Sequence, residues 1–298
     1  MLPERRSAFN VPRGLPSLSL LTWNCFGAAQ GLIAWMRWRG IPEGHRLAHP
    51  TVTSTLNGVD LACLQEVFLA EAEEMFARLD HAYKARDHNR TVWRPLSVGG
   101  SGLAIASRYL IVSTESRTFK GPTRGAERLA RKGVLHARVD VRGVLIDVFM
   151  THLQSGYGDA SARVRAHQMD QLRQWTDDLG APERASIVCG DFNVDGRAGV
   201  REKEYATLRR IFAGFEDLGA ASDRTTFHPH PDHNPLAHRY DPGAPEQRID
   251  YVLFRASKGT SAAAPERVLD VALDGSPGDA AGTHPSDHYG LRVTLTLG

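Results

Sequence analysis

Asn24, Glu66, His152, Asp191, Asn193, Asp250, Asp287 and His288 stand where strand-like runs of this 298-residue chain end, and they carry groups that a hydrophobic core does not need. They belong to six short clusters: LTWNCFG (21–27), LACLQEVF (61–68), DVFMTHLQSG (147–156), IVCGDFN (187–193), RIDYVLF (248–254) and SDHYG (286–290). Acids, amides and histidines gathered in this way suit phosphoester hydrolysis, which needs a base for water, an acid for the leaving group and donors for the phosphoryl oxygens.

In GDFN, Asp191 and Asn193 are two residues apart. An extended chain would point both at one pocket. The carboxylate can orient water, hold a cation or donate a proton once its pKa is raised, and the amide can donate to a phosphoryl oxygen at any pH. Gly190 permits close backbone approach. Turn formation after a strand is the plain alternative for Gly, Asp and Asn. Glu66 and Asn24 each follow a buried run and offer the oxygen atoms that a hard divalent ion takes. A helix cap is the simpler role for either residue alone. His152 and His288 are the candidates for proton handling, with Asp250 as the acid that holds a ring nitrogen. Neighbours on a strand face opposite ways, so Asp287 is placed toward a metal or water and away from His288.

The elements that must position these groups alternate between strands and helices. Strands are expected at 18–23, 60–64, 102–107, 187–190, DYVLF and HYGLRVTLTL, with two more around the Arg142–Gly143 turn within 134–150. Helical spacing marks 69–80, 161–179 (ended by Gly180) and about 202–213. Residues 28–59 read as an insertion, 224–248 as a long Pro- and His-rich loop, and 257–286 as flexible sequence around a short strand in RVLDVAL. This pattern implies a layered α/β fold. Site residues spread from 24 to 288 favour one catalytic domain over residues 1–298.

Composition narrows the alternatives. With 36 basic and 34 acidic side chains the formal charge is +2, which argues against a dedicated nucleic-acid binder without removing a local basic surface. Cys25, Cys63 and Cys189 lie in apolar runs with no CxxC spacing and read as buried thiols. No run approaches the ~20 apolar residues of a membrane span. SLSLL near the N-terminus reads as the first strand rather than a secretory segment. A cytoplasmic location is expected for the chain as it stands, and secretion if a leader has been removed.

THLQSG, CGDFN, RIDYVLF and SDHYG resemble the endonuclease/exonuclease/phosphatase superfamily over roughly residues 18–297. That resemblance implies a four-layer sandwich of two packed β-sheets flanked by helices. It implies His288 as general base and Asp250 as its orienting acid. Glu66 would be the main Mg²⁺ ligand (Mn²⁺ a possible substitute), with Asn24 and Asp287 nearby. Asp191 would position water or assist the leaving group, and Asn193 and His152 would stabilise the phosphoryl oxygens. SGLAIASRY, RKGVLHARV, FMTHLQSG and SARVRAHQMDQL are most similar to neutral sphingomyelinases, with Lys132 of the KGV match as a substrate contact. The implied reaction is hydrolysis of sphingomyelin to ceramide and phosphocholine by a monomer. A nuclease, a phosphoinositide phosphatase or a non-catalytic phosphate-binding module are the alternatives.

The chain departs from bacterial secreted sphingomyelinases in one respect. It has no Trp, Phe or Tyr in 255–286, where they carry a membrane-entering aromatic hairpin. Residues 28–40, with Leu32, Ile33, Trp35, Met36 and Trp38 among Arg37 and Arg39, offer another transient contact with a lipid surface. Packing of that helix on the protein's own core is the simpler reading. The basic run 117–132 reads as solvated surface apart from Lys132. The histidines of FHPHPDHNPLAH read as a solvent-exposed loop on the substrate side, since their Pro-broken spacing matches no regular zinc motif.

Overall fold

The computed structural model describes residues 16–27, 44–87, 91–93, 96–98, 100–128, 130–197, 202–220, 224–257, 270–272 and 284–297. The segment 28–40 therefore lies outside the described residues. The strands are β1 (Ser17–Asn24), β2 (Leu61–Gln65), β3 (Tyr83–Arg86), β4 (Thr91–Trp93), β5 (Leu96–Val98), β6 (Ala104–Ser107), β7 (Leu110–Thr118), β8 (Gly133–Val141), β9 (Val144–His152), β10 (Ala185–Asp191), β11 (Glu216–Asp217), β12 (Asp250–Arg255), β13 (Asp270–Ala272) and β14 (Gly290–Thr296). The helices are α1 (Pro50–Asn57), α2 (Ala70–Arg78), α3 (Asp159–Leu179), α4 (Glu202–Ile211) and α5 (Pro235–Tyr240).

Among the described residues, one six-stranded sheet runs β13-β14-β1-β2-β6-β3, a second runs β11-β12-β10-β9-β8-β7, and β4 and β5 form a separate pair. The alternation of each strand decides the layers. Leu18, Leu20, Leu61, Cys63 and Ile105 of the first sheet meet Leu135, Val148, Met150, Ile187, Cys189 and Val252 of the second in a shared core. The opposite faces pack on helices. Leu21, Trp23, Ala62 and Leu64 lie against Val52 and Leu56 of α1 and Met75 and Phe76 of α2. Val134, Phe149, Val188 and Leu253 lie against Met169 and Leu172 of α3 and Leu208 of α4. This is the helix–sheet–sheet–helix sandwich expected from the sequence. Each large apolar side chain buried this way contributes about 1.5–3 kcal/mol.

All three cysteines are buried and free, as expected. Gly180 caps α3, and a side chain there would meet the Thr176 carbonyl. The structure adds elements the sequence reading left out. The loop 224–248 contains α5, started by Asn234, whose side chain accepts from Ala237 N–H at 3.0 Å. The nine-residue β7 is an edge strand, and its polar alternation hid it beside the basic run. None of the described helices is long and apolar enough to cross a membrane.

Candidate active site

Two parallel strand pairs deliver the site. β1 pairs with β2 and β9 with β10, and their C-terminal ends carry Asn24, Glu66 (directly after β2), His152 and Asp191. In the second sheet, His152, Asp191 and Asp250 are register neighbours on three adjacent strands. That register sets three chemical groups side by side. β10 can run this close to β9 because residue 190 is glycine, since a Cβ there would collide with the Thr151 carbonyl. His288 comes from the loop before β14. Its backbone carbonyl accepts from Trp23 Nε1 at 3.2 Å, and its N–H donates to Ser286 Oγ at 3.0 Å. Ser286 Oγ in turn donates to the Asn24 carbonyl at 2.6 Å, tying the loop before β14 to the end of β1 within the first sheet.

His288 Nδ1 donates to Asp250 Oδ2 at 2.9 Å, and its Nε2 lies 3.8 Å from Asp191 Oδ2. Asp191 is the hub. Its Oδ2 accepts from Asn24 Nδ2 at 3.1 Å and lies 3.4 Å from His152 Nε2, while Oδ1 accepts from Asn193 N–H at 2.9 Å. Asn24 Nδ2 also reaches Glu66 Oε1 at 3.3 Å, and Asn24 Oδ1 caps the Phe26 N–H at 2.9 Å. Asn193 Nδ2 donates to the Leu153 carbonyl at 3.2 Å. Phe26, Glu66 and Asn193 all have left-handed backbones, with φ of 51°, 59° and 53°. Non-glycine residues held this way cost of order 1–3 kcal/mol each and cluster at functional sites. Asn193 therefore reaches the pocket through a turn and not through the extended chain the sequence suggested.

The electrostatics are lopsided. Burial pushes the Asp191 carboxyl up to about 7, opposed by His288 and reinforced by Asp250. Burial likewise lifts Asp287 to about 7, opposed by His288 and reinforced by Glu66. Burial pulls His288 down, but the carboxylates of Asp250, Asp287 and Asp191 outweigh it and hold the imidazole well above its usual range. Burial, with help from Lys132 and His288, drives His152 well below its usual range, so it is neutral near pH 7. Asp250 Oδ1 is buried without a hydrogen-bond partner.

Asn24, Glu66, His152, Asp191, Asn193, Asp287 and His288 all line one pocket, with Asp250 directly behind His288. Lys132 is held back from it. Its Nζ donates to Glu127 Oε1 at 2.6 Å and to the Leu153 carbonyl at 2.5 Å, the same carbonyl that anchors Asn193. The sequence reading missed Arg46. This buried guanidinium donates to the carbonyls of Cys25 (3.0 Å), Phe26 (2.6 Å) and Pro285, joining the loop after β1 to the loop of Asp287. It also missed Phe26, Tyr157, Phe227, Tyr240, Asp241 and Gln247 on the pocket wall. GYG after the THLQ cluster was the available hint for Tyr157, while Arg46 carries no motif. Of the histidines expected to be solvent-exposed, His230 and His233 are, whereas His228 and His238 are half-buried. His228 and His233 stack at 4.1 Å, and His230 stands out in solvent.

The donor chemistry fits a hard divalent cation. Glu66 and Asp287 offer carboxylate oxygens, and the excess of negative charge is what a cation would offset, whereas Asn24, expected from the sequence as a ligand, turns its oxygen to the Phe26 N–H and its NH2 to the carboxylates. Asp191, Asp250 and His288 also bring ligand-type atoms within 4.8 Å of one another, but the 2.9 Å bond between Asp250 and His288 suits a base and its orienter.

A family model described as the endonuclease/exonuclease/phosphatase family matches residues 21–288, and the chain belongs to that family. It is 31% identical over 159 residues to sphingomyelin phosphodiesterase 5 of Danio rerio, covering 46% of this chain and 29% of that protein. It is 23% identical over 203 residues to sphingomyelinase C of Leptospira interrogans, covering 63% of this chain and 36% of that protein. The chain thus spans about a third of the length of the curated relatives it matches. Its fold is similar to the crystal structure of SmcL (TM-score 0.74, 19% identity, 94% of this chain and 99% of that one). It is also similar to Staphylococcus aureus beta toxin with bound magnesium ions (TM-score 0.68, 18% identity, 93% and 99%). A third likeness is to D. rerio TDP2 complexed with a single-strand DNA product (TM-score 0.68, 19% identity, 93% and 98%).

Proposed function

We propose that this chain is a Mg²⁺-dependent phosphodiesterase that hydrolyses sphingomyelin to ceramide and phosphocholine, working as one catalytic domain. The observation that carries the reading is His288, fixed on Asp250 at 2.9 Å and facing Asp191, beside the Glu66–Asp287 acids of one pocket. The similarity to sphingomyelinases supports the choice of substrate.

Glu66 and Asp287 would hold the cation, with Asn24 as a positioning residue whose NH2 donates to Glu66 and Asp191. Bound there, Mg²⁺ supplies positive charge against the phosphoryl oxygens and, by offsetting Asp287, makes it easier for His288 to lose its proton near neutral pH. His288 Nε2 takes a proton from water, and Asp250 holds the opposite nitrogen and steadies the imidazolium. The water oxygen bonds to phosphorus as the bond to the ceramide oxygen breaks. Asp191, a carboxyl whose raised pKa leaves it a proton to give near pH 7, protonates the departing alkoxide. Neutral His152 and the second N–H of the Asn193 amide donate to the non-bridging oxygens. Lys132 acts through the Leu153 carbonyl that it shares with Asn193.

The test is mass spectrometry of products from mixed sphingomyelin and phosphatidylcholine vesicles, with Mg²⁺ and with EDTA. Ceramide release that needs Mg²⁺ and brings no diacylglycerol is the expected result. Intact lipid, together with nucleotides released from single-stranded DNA, would replace the reading with a nuclease.

A further inference from the structure

The pocket has two ends of different chemistry. One holds the acids and histidines. The other is walled by Phe26, Tyr157, Phe227 and Tyr240, with the Asp241 carboxyl and the Gln247 amide among them. Phe26 and Phe227 are buried behind Tyr157 and Tyr240, and four aromatic side chains here are more than a purely hydrophilic substituent on phosphorus requires.

These rings are held by specific contacts. Phe26 has its N–H on Asn24 Oδ1 and its carbonyl on Arg46, and its ring meets Tyr240 edge-to-face at 5.1 Å and 65°. Phe227 lies 5.5 Å from the His288 ring and bridges both His288 and Gln247 through its backbone. Tyr157 is 48% exposed, and its hydroxyl donates to the Asp241 carboxylate, with Gln247 Oε1 3.5 Å away. The wall is thus coupled to the base at one end and open to solvent at the other.

We infer that Tyr157 and Tyr240, backed by the buried Phe26 and Phe227 and with Asp241 beside them, form the headgroup subsite and select a quaternary ammonium carried by the phosphoryl group. The inference rests on the phosphodiesterase reading above. A quaternary ammonium has no N–H and cannot be recognised by hydrogen bonds. What attracts it is the negative face of aromatic rings and an unneutralised carboxylate nearby. Burial pushes the Asp241 carboxyl up, and the hydrogen bond from Tyr157 pulls it only part of the way back, so an entering cation is favoured. A primary ammonium brings three donors that each want an acceptor. This wall offers Asp241 and Gln247 amid hydrocarbon, so it is matched less well.

The experiment is calorimetric binding of phosphocholine, phosphoethanolamine, glycerol 1-phosphate and thymidylate to the full chain in Mg²⁺. Phosphocholine is expected to bind about tenfold more tightly than glycerol 1-phosphate, as two solvent-exposed cation–ring contacts would give. Tyr240→Leu and Tyr157→Leu are each expected to shrink that ratio to about threefold. Both variants should likewise lose more kcat/KM on sphingomyelin than on bis(p-nitrophenyl) phosphate, which has no ammonium. Equal affinities in a wild type that cleaves sphingomyelin would overturn the subsite and leave the phosphodiesterase reading standing. A phosphocholine preference in a wild type that leaves vesicles intact would support the subsite and overturn sphingomyelin as substrate. Tighter binding of thymidylate than of phosphocholine would assign the rings to base stacking and overturn the proposal.

Discussion

The buried carboxylate in the middle of β9 and the acids gathered at that strand's C-terminal end are handled in opposite ways. Asp147 on β9 is fully buried and matched. His136 Nε2 lies 2.8 Å from its Oδ1, Arg138 Nε donates to Oδ1 at 3.0 Å, and Arg184 Nε donates to Oδ2 at 2.6 Å. Burial alone would raise this carboxyl, yet His136, Arg184 and Arg138 together hold it below its usual range. Five residues along the same strand, about 17 Å away at the rise of an extended chain, stands His152 of the active site. There Asp191 and Asp287 crowd with Glu66 and Asp250 and are pushed up to about 7. The protein completes one cluster with its own side chains, and in the function proposed above the other is completed by a cation from solution. Perturbed acids of the second kind mark function, and matched acids of the first kind mark architecture.

Variants at the two ends should fail in different ways. His288→Ala removes the proposed base, and turnover on sphingomyelin in the folded fraction is expected to fall about 10²–10⁴-fold, beyond any fall in Tm from leaving the buried Asp250 carboxyl without its partner, as steady-state kinetics and calorimetry on the same sample would show. Asn193→Ala removes one oxygen-stabilising donor and is expected to lower kcat about 10²–10³-fold. At the matched end the cost moves to stability. Asp147→Asn deprives the partly exposed Arg138 and Arg184 and the buried His136 of their shared carboxylate and is expected to cost about 1–3 kcal/mol in denaturant unfolding, with kcat unaltered in the folded fraction.

The smallest effect has the opposite sign. For a carboxyl whose folded pKa is raised, ionisation favours the unfolded chain, so the penalty is absent below about pH 4 and grows until pH passes about 7. Asp287→Asn should therefore raise the metal-free Tm by about 2–4 °C at pH 8 and leave it unchanged at pH 4. For Asp147, whose folded pKa is lowered, the gain holds above the unfolded value and is lost as pH falls through the folded one. Acid melts of wild type and Asp147→Asn should converge at low pH.

Much of this contrast was written locally in the chain. His152, Asp191 and Asp250 end or begin strands whose apolar runs are plain in sequence, so their meeting followed once the strands were placed side by side. The two sheets and the helices α2, α3 and α4 were legible for the same reason. Asn193 was legible as a site residue but not in its geometry, because its left-handed backbone depends on Asp191 Oδ1 capping its own N–H. Arg46, Phe227, Tyr240 and Asp241 were not legible at all. Their positions depend on partners far along the chain: Arg46 bonds Pro285, and Phe227 bridges His288. The strand β7 was hidden by LIVSTESRT, whose polar positions suit an edge strand as well as a loop.

The most direct measurement is a Mg²⁺ titration by calorimetry on wild type, Glu66→Gln and Asp147→Asn at pH 7.5. The expected result is saturable binding to wild type and to folded Asp147→Asn, with binding lost or weakened at least tenfold in Glu66→Gln. Binding that Glu66→Gln leaves intact, or wild type that takes up no Mg²⁺, would contradict the idea that this end of the sheet is completed by a cation from solution.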